Sequence, residues 1–93
     1  STKIALSAYY IGDIYKEYFV ENSRAVNWYQ RAWAWDPHVM EPARFQAAVV
    51  YDLRLMEPGK ALPLYREVIK YEQFNQSNVS FAEDRIKKLT GGQ

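Results

Sequence analysis

The chain has 93 residues, enough for one small domain. Its 12 Lys and Arg against 11 Asp and Glu leave a net charge of +1, with no cysteine and one histidine. That balance argues against the one-sided field of a nucleic-acid binder, and the missing thiols exclude disulfide scaffolds, thiolate catalysis and Cys-ligated zinc. No apolar run approaches the ~20 residues of a membrane-spanning helix, and no membrane insertion is expected. The opening Ser1, in place of Met, fits an excised piece of a longer protein.

Apolar residues recur at helical spacing throughout the chain. Ile4, Ser7, Ala8, Ile11, Ile14, Tyr15 and Tyr18 form one face of a first helix. Asn22-Ser23 offers a cap to a second, which carries Ala25, Val26, Trp28, Tyr29, Ala32 and Trp33 and closes at Asp36-Pro37. A third helix follows Glu41-Pro42 and carries Phe45, Ala48, Val49 and Asp52, with Ala47, Val50, Tyr51 and Leu55 beside them. Glu57-Pro58-Gly59 marks the next turn, and Pro63 requires the fourth helix to begin at about residue 60 to 62, ahead of Leu64, Tyr65, Val68 and Ile69. Asn75–Asn78 reads as a polar loop, and the capping box Ser80-x-x-Glu83 as the start of a fifth helix that Thr90-Gly91-Gly92 stops.

A shift of 36 residues superimposes these patterns. Gly12 falls on Ala48, Ile14 on Val50, Tyr15 on Tyr51, Ala25 on Ala61, Tyr29 on Tyr65 and Trp33 on Ile69. A second shift takes Tyr9 through Phe45 to Phe81, and Ile14 through Val50 to Ile86. A period of this length predicts stacked helical hairpins.

Ile11-Gly12-x-x-Tyr15, Ala25-x-x-x-Tyr29-x-x-Ala32 and Asp36-Pro37 resemble the signature of the tetratricopeptide repeat. A looser second copy runs through Ala47-Ala48-x-x-Tyr51 and Ala61-Leu62-Pro63-Leu64-Tyr65, with Gln73 where the closing Pro belongs. Both copies hold one residue more than usual between their helices. Ala8 and Arg44 stand where a large residue is common. The resemblance implies an all-α fold: an α-solenoid of two helix-turn-helix repeats, about 4–37 and 40–73, with a capping helix at about 79–90, in one domain spanning 1–93. Asp84, in register with Gly12 and Ala48, fits an end helix on which no further hairpin packs.

No catalytic constellation emerges. His38 between Asp36 and Glu41 reads as a turn residue, and Ser and Thr have no other imidazole to activate them. The chain is therefore expected not to be an enzyme, with no cofactor and no metal. Trp28, Trp33 and Trp35 read as packing residues. Arg85, Lys87 and Lys88 complement a helix C-terminus and imply no nucleic acid.

In the resembled family, first-helix faces line a concave groove that binds partner peptides. The corresponding residues here are Tyr9, Asp13 and Lys16, then Phe45, Val49 and Asp52, then Phe81 and Arg85. Their alignment predicts an aromatic track flanked by mixed charges. The Lys, Asn and Arg clamp with which some such grooves hold a terminal carboxylate is missing, since Tyr9, Asp13, Gln46, Asn78 and Ala82 stand in those places. Two readings remain open at this point: a module that binds a protein or peptide, and a structural segment that self-assembles into a homo-oligomer or larger array.

Overall fold

A computed structural model describes residues 2–92 and contains five helices with no strand among the described residues. Helix α1 (Thr2–Asp13) runs directly into a π-helical segment, π1 (Ile14–Phe19). Helix α2 (Asn22–Trp35) returns alongside it. Helix α3 (Ala43–Val49) likewise runs into π2 (Val50–Arg54), followed by α4 (Pro58–Tyr71) and α5 (Gln76–Leu89). Each helix packs mainly on its neighbours in the chain. The radius of gyration, 12.5 Å, is about that of a globular chain of this length.

Small residues set the helix spacing. Ala8, Ala25, Ala32, Ala47, Ala48, Ala61 and Ala82 are buried, and two fully buried rings, Tyr29 and Tyr65, fill the space between them. Gly12 is buried too: a Cβ there would lie 2.7 Å from the Tyr29 ring, so α1 approaches α2 closely only because the residue is glycine. Asp84, at the matching position of α5, is exposed.

The local geometry repeats with the sequence. Both first helices end in a π segment, and each then closes through a non-glycine residue in the left-handed region, Val20 and Met56, both at φ 54°. In each corner a Glu N–H then donates back to a Tyr carbonyl, Glu21 to Tyr15 (2.8 Å) and Glu57 to Tyr51 (2.7 Å). That closure spans one residue more than the usual left-handed helix cap. Each of these two helices thus ends in a widened helical turn.

Several boundaries differ from the sequence expectation. Helix α5 begins at Gln76, because Asn75 accepts the Asn78 N–H (3.0 Å) and caps it, so Ser80 and Glu83 fall inside the helix. Asn22 is the first residue of α2, not its side-chain cap. Helix α4 starts at Pro58, which leaves Pro63 in its interior. The carbonyl that Pro63 cannot satisfy belongs to Gly59, an exposed residue in the first turn of the helix. The end of α5 follows expectation: Gly91 and Gly92 adopt positive φ, and the Gly92 N–H donates to the Lys87 carbonyl (2.6 Å).

Candidate functional site

Part of the set aligned by the 36-residue shift comes together across α1–π1, α3–π2 and α5. Lys16 donates to the Gln46 side chain (2.7 Å), joining the first helix to the third. The Phe45 and Phe81 rings meet edge-on at 5.6 Å, joining the third to the fifth. One turn further on, the Arg85 guanidinium donates twice to the Asp52 carboxylate, Nε to Oδ2 at 2.7 Å and Nη2 to Oδ1 at 2.9 Å. Asp52 also accepts the Tyr65 hydroxyl (2.8 Å).

Exposure divides the predicted set. Phe81 is exposed, whereas Asp13, Phe45, Val49 and Arg85 are half-buried. Lys16 is half-buried as well, and its ammonium also faces Glu17 at 3.1 Å. Asp52 is buried. Tyr9 is in the core at 4% exposure, packed on the Tyr29 ring at 5.5 Å with the Gln46 amide donating to its hydroxyl (3.4 Å). The surface aromatic row is therefore Phe45 and Phe81, without Tyr9.

Charges on this surface are mostly engaged within the chain. Burial works against the Asp52 charge, but the hydrogen bonds from Arg85 and Tyr65 and the Arg85 charge outweigh it and hold the carboxyl below its usual range. The hydrogen bond to Asp52 raises Arg85 in return. Tyr29 donates to Asp13 at 2.5 Å; burial, then that bond and the Asp13 charge, push the Tyr29 hydroxyl above its ordinary range. Burial likewise raises Tyr9 and Tyr65, Asp13 adding to it in the first and the bond to Asp52 in the second.

A second polar cluster was not visible in the sequence. Fully buried Glu72 accepts the backbone N–H groups of Arg44 (2.9 Å) and Phe45 (3.2 Å), so a side chain following α4 caps the start of α3. The Arg44 guanidinium lies 3.8 Å from Glu72 and donates to Glu67 (3.1 Å) between the rings of Trp33 and Tyr71. Glu72 is 28 positions from Arg44, and no local motif links the two.

No group of three His, Cys, Asp or Glu side chains among the described residues is arranged to hold a metal ion. Exposed His38 only closes a turn, its N–H donating to the Asp36 carboxylate (3.0 Å). No helix among the described residues is long and apolar enough to cross a membrane. The chain matches no family model, and no curated protein or solved structure matches it.

Proposed function

We propose that this chain is a helical-repeat interaction module of the tetratricopeptide type, not an enzyme, and that the α1–α3–α5 surface binds an extended or helical segment of a partner protein. The observation that carries the reading is the edge-on contact of Phe45 with Phe81, residues 36 apart, which forms an accessible apolar row on helices that the repeat alignment matches. Internal pairing of Asp52 with Arg85 and of Lys16 with Glu17 leaves this row bordered by polar groups of little free charge. Such a surface recognises apolar side chains and backbone more than a charge pattern.

A displayed peptide library selected on the intact chain tests this reading. Selected peptides should share an apolar motif and lose binding to Phe81→Glu and Val49→Glu chains whose thermal melts stay normal. Selection of no common motif, or binding indifferent to both changes, would overturn it.

A further inference from the structure

We propose that Glu72, itself outside the α1–α3–α5 surface, positions the Phe45–Phe81 row on it, and that partner binding there is coupled to a proton on the Glu72 carboxyl. The inference rests on the function proposed for that surface and names its regulation.

Helix α3 is short, and Pro42 stands at its capping position with no side-chain acceptor to offer. In its first turn, Ala43 donates its N–H to the Glu41 carbonyl (2.8 Å) and Gln46 to that of Pro42 (2.9 Å). The two N–H groups between them go to one carboxylate: Arg44 donates to Glu72 Oε2 (2.9 Å) and Phe45 to Oε1 (3.2 Å). Phe45 is thus held at its own backbone by a residue that follows α4. Glu72 reaches Phe81 as well. Its carbonyl accepts the Asn75 N–H (3.2 Å), and Asn75 caps α5, the helix that carries Phe81. One residue therefore joins the starts of both helices whose rings meet at 5.6 Å.

The nearest groups to the carboxyl are donors. Besides the two N–H groups, the Arg44 guanidinium of α3 lies 3.8 Å away, between the rings of Trp33 and Tyr71. Glu67 of α4 adds a negative charge that opposes ionisation, and the Tyr9 hydroxyl of α1, kept neutral by burial, feels the Glu72 charge. The start of α5 contributes uncharged Asn75.

Burial pushes the carboxyl up to about 7. Charged, it holds both N–H groups in charge-assisted hydrogen bonds. A proton on either oxygen weakens that oxygen as an acceptor, and the Arg44 or the Phe45 N–H loses its hold. Ionisation thus costs fold stability while fixing the row, and a fixed row binds with less ordering cost. By linkage, a partner that prefers the fixed row drives the proton off.

Two measurements test this. In the ligand-free chain, labelled with 4-fluorophenylalanine and with His38→Gln removing the only imidazole, the Phe45 and Phe81 ring signals should titrate together with a midpoint of about 7. In a chain that also carries Glu72→Gln they should not. The second probe is a peptide selected on the intact chain, free of titratable side chains and blocked at both ends. Its Kd should be about fivefold or more higher at about pH 5.5 than at about pH 8.5, and flat across that range in Glu72→Gln. Ring signals that do not titrate, or a Kd that stays flat in the original chain while Phe81→Glu still abolishes binding, would overturn this inference and leave the surface's function standing. Peptides indifferent to Phe81→Glu would overturn that function, and this inference with it.

Discussion

A methyl group at position 12 would enter the space held by the Tyr29 ring, whose hydroxyl is tied to Asp13 on the same helix. The ring cannot yield without breaking that bond, so Gly12→Ala should cost about 1–3 kcal/mol, read as a lower urea midpoint at unchanged slope. Glu72 makes stability depend on pH. Burial pushes its carboxyl up to about 7, against the opposing pull of the Arg44 and Phe45 N–H groups and the Arg44 charge. Between pH about 4.5 and about 7 the folded chain keeps a proton that the unfolded chain has released, so stability falls as pH rises through that window, by about 3 kcal/mol in all. Denaturation at several pH values should show this slope in the original chain and not in Glu72→Gln. Asp52 acts in the opposite sense: its lowered carboxyl contributes stability above the ordinary Asp range, which is lost as acid protonates it.

Among the elements, α5 is fastened to α3 by the Phe45–Phe81 contact and to π2 by the Asp52–Arg85 pair. Arg85→Ala would leave a buried carboxylate with Tyr65 as its remaining partner, and a loss of about 2–3 kcal/mol is expected. Asp52→Asn in the same background should return part of it, a coupling that a double-mutant cycle measures. The two corners after π1 and π2 hold the opposite opportunity. Val20 and Met56 are exposed residues in a left-handed conformation that favours Gly or Asn, so Val20→Asn and Met56→Asn should each raise stability by about 0.5–1 kcal/mol. Helical stripes and the 36-residue shift made the five helices and their buried alanines legible, because burial on one face writes a 3.6-residue rhythm. The π segments were not legible: a helical rhythm does not distinguish a wide turn from a longer loop. The start of α5 was obscured because Asn75 and Ser80 both precede a plausible first turn, and local chemistry alone does not rank them. The burial of Tyr9 was hidden for a related reason: alignment with Phe45 and Phe81 fixes its register, while packing on Tyr29 turns it inward.

For the whole molecule, the two ends differ in kind: α1 and α2 turn an apolar face outward at one, and α5 turns polar residues outward at the other. Contacts at the α1–α3–α5 surface should depend only weakly on salt, because its ionic groups are largely engaged with each other. Raising NaCl from about 0.05 to about 0.5 M should change a selected peptide's Kd by less than about threefold, within the screening range of exposed charges. The restriction of packing mainly to chain neighbours has a further, kinetic, consequence. Few distant segments must find each other before favourable contacts form, so little loop entropy stands between the unfolded chain and its first stable hairpin. The main refolding phase after a stopped-flow dilution should finish within about milliseconds. Either hairpin is able to nucleate it, and substitutions confined to one should leave the other as an alternative starting point.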